Sequence, residues 1–456
     1  MTKNEGVGDR MRTSPQVLAA ACLAQLMVTL DVSVVNIALP SIRDDFGLGV
    51  VGQQWIVTAY ALPFAGFLLL GGRVADVVGV RRVFLAGTSA FVAASLIAGV
   101  APGPEVLLAG RAAQGLAAAV LAPATLTAIT GTFPEGDPRT RAMAWWTATS
   151  IAGGAAGNLS GGVLTEFLGW RSTLLVNVPL GVLALVLAAR VLPAARREGG
   201  RIDTLPALLV TAGLLVLAYG LSTIGGRRWA PGVMAVFLAS ALFAAFVRRD
   251  GTARNPLLPR ALLAIRSVRL GNAGLLLAGT ALVPMWFFLT LQLQVVLGYS
   301  PLMSGLAFLP HTLIQLGVGL WLTPRLLRRA PAARLVLVGG ALLAAGFAWQ
   351  STLTAGSTYV SAVLLPAVLI AGGAGLLTLP LSVATVAGVA ETDRGAASGI
   401  MNSAKQIGGG VGLAAVVGAT SAATQPAQAY QAAFTIMAAV AVVIAVGAAA
   451  VARAGP

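Results

Sequence analysis

The chain has 456 residues, of which 57% are hydrophobic types and only 10% are charged, whereas an average soluble domain has about 45–50% and about 25%. So few charges could not cover a water-soluble surface, and most of the surface must therefore face lipid. The composition excludes a disordered chain, which needs low hydrophobicity and high charge. With one Cys and one His, a disulfide scaffold and a metal site built on those residues are excluded as well.

Apolar runs of about 20 residues, the length that crosses a hydrocarbon layer of about 30 Å, recur along the whole chain. We expect fourteen membrane-spanning helices, at residues 16–39, 53–71, 83–101, 105–130, 141–165, 173–192, 204–222, 231–247, 270–297, 302–323, 334–352, 359–387, 396–419 and 430–452. The predicted fold class is an all-α membrane protein.

The basic residues predict how these helices are oriented. With the N-terminus in the cytoplasm, 24 of the 30 Lys and Arg residues fall in cytoplasmic segments and four fall in outer loops. This bias is the positive-inside pattern, and it predicts that both termini are cytoplasmic. The net charge of +15 is then a consequence of topology, and we expect no nucleic-acid partner.

Two Arg-rich connections divide the chain. They lie near residues 193–203 and 248–269 and bracket the seventh and eighth runs. We therefore expect an N-terminal six-helix half at residues 1–193, an inserted helix pair with its linkers at 194–268, and a C-terminal six-helix half at 269–456. No phosphate-binding loop of the form G-x-x-x-x-G-K-[ST] occurs, and ATP is not the predicted energy source.

Six short stretches carry a recognisable pattern: LDVSVVNIALP at 30–40, GRVADVVGVRR at 72–82, RAAQG at 111–115, GAAGNLSGG at 154–162, WR at 170–171 with NVPLG at 177–181, and NSAKQIGGGVG at 402–412. Together they resemble motifs of the fourteen-helix drug:proton antiporters of the major facilitator superfamily. The resemblance implies two six-helix bundles with an inserted helix pair, a proton gradient as energy source and no cofactor. Two positions depart from the family motifs. Asn158 stands where the family has Pro, and Lys405 stands where it has Arg.

Asp31 and Arg111 lie inside apolar runs, where a charge costs at least about 2.5–3.5 kcal/mol, so both are functional candidates. The resemblance places their helices beside the central cavity and implies that the two side chains meet. We expect Asp31 to bind a proton or a cationic substrate, with Arg111 as its charge partner. A permanent ion pair that only fixes helix packing is the alternative.

A second polar group is predicted in the C-terminal half. Ser398, Asn402, Lys405, Gln406 and Gly409 share one helical face, which must meet protein or water rather than lipid. A lysine taken out of water can release its proton, and a histidine can change charge near neutrality. For the histidine, a neutral packing role is the alternative. The predicted substrate cavity comprises Lys405, His311, Asn402, Gln406, Gln315, Gln114, Trp55 and Tyr60, although Trp often lies in the interfacial belt instead.

Small residues and an inner loop are predicted to serve conformational change. Gly157, Asn158 and Gly161 belong to glycine-rich stripes of the fifth helix, whose spacing permits close helix approach; static packing is the alternative. Asp76 is expected near the start of the third helix, where an acid is favourable. The resemblance implies that it latches the two halves at the cytoplasmic face. The predicted gate comprises Asp76, Arg81, Gly72 and Gly79, and a merely capping Asp76 is the alternative.

These features predict a monomeric transporter of the bacterial plasma membrane, and not an enzyme, whose partners are a small-molecule substrate, protons and lipid. Proton-coupled efflux of a small amphipathic drug or antibiotic is the expected function. Proton-coupled uptake of a metabolite has the same architecture and stays open. A non-transporting membrane sensor or scaffold would not need ionisable groups inside the membrane.

Overall fold

The computed structural model describes residues 5–193, 203–225, 229–253, 256–352, 354, 356–423 and 425–453, and all regular secondary structure in this part of the chain is helical. The α-helices assigned there are α1 Glu5–Phe46, α2 Val50–Val78, α3 Val80–Gly99, α4 Pro104–Thr132, α5 Asp137–Leu168, α6 Arg171–Leu175, α7 Asn177–Val191, α8 Leu205–Ile224, α9 Trp229–Gly251, α10 Arg260–Ala264, α11 Arg266–Leu291, α12 Pro301–Ala307, α13 Leu309–Gly317, α14 Thr323–Leu327, α15 Ala332–Gln350, α16 Leu365–Val386, α17 Arg394–Thr420 and α18 Pro426–Arg453.

Helical structure is present at each of the fourteen predicted positions. Helices α6 and α7 together form one segment, α12 to α14 form another through a π-helical turn at Val318–Leu322, and similar turns extend α11 and precede α16. Twelve segments of the described chain are long and apolar enough to cross a membrane. Helices α5 and α17, with 32 and 27 residues, contain more small and polar residues and pack along α1 and α11. The predicted all-α membrane fold is confirmed.

Glycine and proline set the ends of several segments. Gly79 has a φ of +98°, a conformation that side chains with a Cβ rarely adopt, and it separates α2 from α3. Pro301 occupies the first turn of α12, where its missing N–H costs nothing. The Ser300 side chain before it accepts a hydrogen bond from the Met303 N–H at 3.3 Å, which caps the helix.

The inserted helix α8 packs against both α2 and α17. Gly66 of α2 lies directly against Thr211, and Gly418 of α17 lies directly against the Leu221 carbonyl. Helix α9 packs on α8 and leaves Phe237 73% exposed, as expected of a lipid-facing helix. The inserted pair thus joins one edge of each half, while the exact division of the chain stays a prediction and its linker residues 194–202 lie outside the described residues.

The two halves contact each other at the end of the bundle that carries the α1–α2 connection, residues 47–49. The Gln294 side chain donates to the Ile37 carbonyl at 3.0 Å, and the Leu302 N–H donates to the Glu166 carboxylate at 3.3 Å. This end is called the α1–α2 end below, and the opposite end, which carries Gly79, is called the α2–α3 end.

One face of helix α17 changes from buried to exposed towards the α2–α3 end. Its Leu413 and Val416, 0% and 1% exposed, share an apolar cluster with Leu30 and Val34 of α1. Towards the α2–α3 end the same face of the helix continues through Lys405, which is exposed. This face of α17 is therefore covered at the α1–α2 end and accessible at Lys405, while beside it α2 and α17 stay in contact as far as Leu69 and Gly399.

Candidate functional site

Asp31 is the centre of a buried polar cluster within the N-terminal half. Its side chain is 0% exposed, and its carboxylate lies 2.6 Å from the Arg111 guanidinium. Gln114 donates to the same carboxylate at 3.0 Å and Asn177 at 2.7 Å. Gln114 also donates to the Ser95 hydroxyl of α3 at 2.7 Å, and Tyr60 of α2 packs beneath the guanidinium, so five helices contribute to this cluster.

Arg111 is held by groups on all sides. It is 2% exposed, donates to the Ile56 carbonyl at 3.2 Å and to the Gln114 side-chain oxygen at 2.8 Å, and lies 4.6 Å from the centre of the Tyr60 ring. A cation over an aromatic face is attracted by the ring quadrupole. The charges of Asp31 and Arg111 cancel, so the cluster as a whole is electrically neutral. Removing one partner of such a buried ion pair typically lowers stability by about 3–5 kcal/mol.

The structure groups the predicted site residues differently from the sequence prediction. Gln114 and Tyr60, which the sequence assigns to the substrate cavity, lie inside the Asp31 cluster and are 0% and 2% exposed. Asn177 was missed as a site residue. Its signal was the N-x-P stretch at 177–179, where an amide stands inside an apolar run.

Lys405 and Asn402 lie on the face of α17 that opens towards the α2–α3 end, and both are exposed. Gln406 beside them is half-buried. On either side of this face, Ser403 donates to the Ala65 carbonyl of α2 at 3.2 Å, and Thr280 of α11 donates to the Gly408 carbonyl at 3.1 Å. The polar face predicted from the sequence therefore lies between the contacts of α17 with α2 and with α11, and its assignment to a substrate cavity stays a prediction.

His311 lies inside the C-terminal half rather than on the open cavity face. It is 1% exposed, and its ring centre lies 5.8 Å from that of Trp286. Both ring nitrogens lack a hydrogen-bond partner among the described residues. Gln315, one turn further on, is half-buried beside Gly375 of α16.

Trp55 does not share a pocket wall with Tyr60. It packs against the apolar cluster of Leu62, Leu214, Ala218 and Ala414, which joins α2, α8 and α17. Its position five residues before Tyr60 turns it to another side of α2. Trp55 therefore packs in the contact that joins the inserted helix α8 to α2 and α17.

The predicted gate residues lie at the α2–α3 end, with one correction. Asp76 is in the last turn of α2, which extends to Val78, and not at the start of α3, because α2 continues two turns beyond its apolar run. Asp76 is exposed and Gly72 is half-buried. Arg81 of α3 donates to the Ala189 carbonyl of α7 at 2.8 Å, a contact within one half.

The small residues of α5 form two faces with different partners. Gly157 and Gly161 lie against α1, where an added Cβ at Gly157 would be 2.6 Å from the Ser33 Cβ. Asn158 and Gly162 face α12 of the other half, and an added Cβ at Gly162 would be 2.8 Å from the Pro301 carbonyl oxygen. One face thus fixes packing within the N-terminal half, and the other forms the crossing between the halves.

Comparisons with known proteins agree with this architecture. Residues 21–413 match the Major Facilitator Superfamily. The chain is 48% identical to the cephamycin export protein CmcT of Amycolatopsis lactamdurans, over 92% of this chain and 87% of that protein. It is 41% identical to the puromycin resistance protein pur8 of Streptomyces alboniger, over 89% and 82%.

The fold is similar to that of a solved transporter. The crystal structure of the POT family transporter PepTSo superposes with a TM-score of 0.68 at 17% identity, over 97% of this chain and 98% of that one. Because the sequence match covers most of the chain and the described helices follow the same architecture, the protein belongs to the major facilitator superfamily.

Proposed function

We propose that the protein exports a small amphipathic compound across a bacterial plasma membrane in exchange for protons. The relatives named for cephamycin export and puromycin resistance support export of drug-like compounds. The observation that carries the coupling is the buried pair of Asp31 and Arg111, since it joins the only acid away from the ends of the described membrane-spanning helices to a fixed positive charge.

Protonation of Asp31 would remove the negative charge that balances Arg111. The guanidinium would then be buried without a counter-charge, which is strongly unfavourable. A conformation that hydrates Arg111 or separates α1 from α4 would relieve that cost. Binding and release of a proton thereby bias the packing of these two helices.

Helix α1 provides the link from this cluster to the contact between the halves. Ile37, which accepts the hydrogen bond of Gln294, lies six residues from Asp31, about 9 Å along the helix. A shift of α1 at Asp31 would therefore act directly on the closed α1–α2 end. Opening that end while the α2–α3 end closes is alternating access between two bundles.

The predicted topology places the α2–α3 end, and hence the open cavity, on the cytoplasmic side with both termini. Substrate would enter there and leave at the α1–α2 end. Each chain contains a complete cluster and cavity face, so a monomer is the proposed working unit and no cofactor is required beyond the proton gradient.

Transport by the purified protein in liposomes tests this proposal. A pH gradient of either polarity is imposed, and movement of a panel of cationic, neutral and anionic amphipathic compounds is followed together with internal pH. Export predicts that substrate moves against the proton flux. Movement of substrate with the protons would instead establish uptake, and gradient-independent equilibration would exclude proton coupling.

A further inference from the structure

Lys405 is fixed at an interior position by the contacts around α17. Ser403 and Gly410 face α2, Gly408 and Gly412 face α11, and Ala414 and Gly418 face α8. The Lys405 carbonyl also lies against Gly279 of α11, so at 100° per residue the Lys405 side chain leaves the helix at the α11 edge of the arc between α11 and α2. Leu413 and Val416 on the same side of the helix are 0% and 1% exposed and belong to an apolar cluster with members from both halves, so this side faces the protein interior and not lipid.

The ammonium group of Lys405 stays in the cavity. The residue is eleven positions from Arg394 at the start of α17, about 17 Å along the axis. That distance is beyond the reach of a lysine side chain, so it cannot place its charge at the membrane surface by snorkelling. Among the residues that the structure describes, Lys405 has no ion-pair or hydrogen-bond partner.

Asp31 does not balance the charge of Lys405, because its carboxylate is already bound by other side chains. Both carboxylate oxygens of Asp31 accept hydrogen bonds from Arg111, Gln114 and Asn177, and Asp31 is 0% exposed. No other described carboxylate lies away from the ends of the membrane-spanning helices. The cavity therefore presents one uncompensated positive charge, with the Asn402 amide one turn away.

We propose that the cavity selects amphipathic compounds that carry one carboxylate, and that Lys405 forms the ion pair with that group. This inference rests on the proposed export function and names the class of its substrate. A carboxylate would complete the charge balance that the protein leaves open. The Asn402 amide donates one N–H to the Ser398 carbonyl at 3.2 Å and would offer its second N–H to the carboxylate. A cationic compound would meet repulsion at the same position.

Pairs of compounds that differ in one charge and one methyl group test the charge preference directly. Dansylglycine and a set of larger aromatic monocarboxylates are compared with their neutral methyl esters for binding to the purified full-length protein, measured by fluorescence. The wild type is expected to bind the acids more tightly than the esters. Lys405→Met should weaken binding of the acids by about tenfold or more, as loss of a charge-assisted hydrogen bond does, and change ester binding by less than about threefold.

Two further variants separate a local charge effect from a general one. Lys405→Arg keeps the charge and should keep the preference for acids. Arg248→Met removes the same charge at the end of α9, outside the cavity, and should leave both affinities unchanged. Thermal unfolding of each variant checks that it is folded.

The inference is overturned if wild-type protein binds acids no better than esters, or if Lys405→Met affects both equally. These outcomes are separate from the export proposal, which is judged by gradient-driven transport. A wild type that exports the neutral esters against a proton flux, without favouring acids, would retain the proposed function and lose the proposed substrate class.

Discussion

Gly305 of α12 packs directly against the backbone carbonyl of Asn158 on α5, at the point where the two halves cross. A Cβ at Gly305 would lie 2.7 Å from the Asn158 oxygen, closer than van der Waals contact allows. The halves approach backbone to backbone here, which only small residues permit. This crossing is the part of the small-residue pattern that can change when one half moves against the other.

Gly305→Leu should force α5 and α12 apart and favour opening of the α1–α2 end. We expect Val416, 1% exposed in the closed arrangement, to become accessible. The measurement is maleimide labelling of Val416→Cys in a Cys22→Ser background, with and without Gly305→Leu. Equal labelling rates in the two proteins would show that this crossing does not control opening.

Gly157→Leu should have a different effect, because Gly157 faces α1 within the same half. A leucine there would overlap Ser33 and the Leu30 carbonyl, with an expected loss of stability of about 1–3 kcal/mol or more. We expect a lower unfolding temperature and loss of transport without increased labelling of Val416→Cys. Transport at the wild-type rate would rule out a requirement for close packing of α1 on α5.

Asp31→Asn keeps the shape of the side chain and removes its titratable charge. Gradient-driven export should be lost while the protein still inserts and folds, although Arg111 loses its counter-charge and stability should fall. The double variant Asp31→Asn with Arg111→Gln should recover stability but not coupling. Asp44→Asn is the control, since Asp44 is exposed at the end of α1. Proton movement at the wild-type level in Asp31→Asn would exclude Asp31 from coupling.

The cost of a charge inside hydrocarbon singles out Asp31 and Arg111 in the sequence, and the family resemblance implies that they meet. It does not predict the places of Gln114, Tyr60 and Trp55. Neutral polar and aromatic side chains are stable on several faces of a membrane helix, and only the packing of neighbouring helices decides which face is internal. Asp76 was expected in the inner loop near the start of the third helix, and it lies in the last turn of α2, since hydrophobicity marks the apolar run and not the helical turns that extend beyond it.

Asp250 at the end of α9 stabilises the connection to α10. It is 5% exposed, and its carboxylate accepts hydrogen bonds from the Leu257 and Leu258 N–H groups at 2.6 Å and 3.1 Å. Each bond to a charged acceptor contributes about 1.5–3 kcal/mol. Asp250→Asn should therefore lower the unfolding temperature and make the connection more sensitive to protease.

A matched control is available at the same end of the inserted helix pair, on the segment that precedes α8. Asp203 forms an exposed ion pair with Arg249 at 2.7 Å, and such surface pairs contribute about 0–1 kcal/mol. Asp203→Asn should therefore change unfolding and proteolysis much less than Asp250→Asn. Similar effects of the two variants would show that the buried carboxylate does not hold the linker.

At position 405 the chain has lysine where the antiporters that it resembles have arginine, and this difference bears on the exchange step. An arginine keeps its charge at any accessible pH, whereas a lysine moved out of water can lose its proton. The exposed position of Lys405 at the open α2–α3 end would keep it charged there. Closure of that end would remove the water around it.

If release of this proton accompanies closure, Lys405→Arg should bind substrate normally and stall during exchange. Lys405→Met should retain partial turnover with an altered pH profile, because no charge has to be dehydrated. The measurement is transport by both variants and the wild type from about pH 5 to about pH 9, roughly two units on either side of neutrality. Full activity of Lys405→Arg across that range would show that a fixed positive charge is sufficient, and that Lys405 acts only by attracting the substrate.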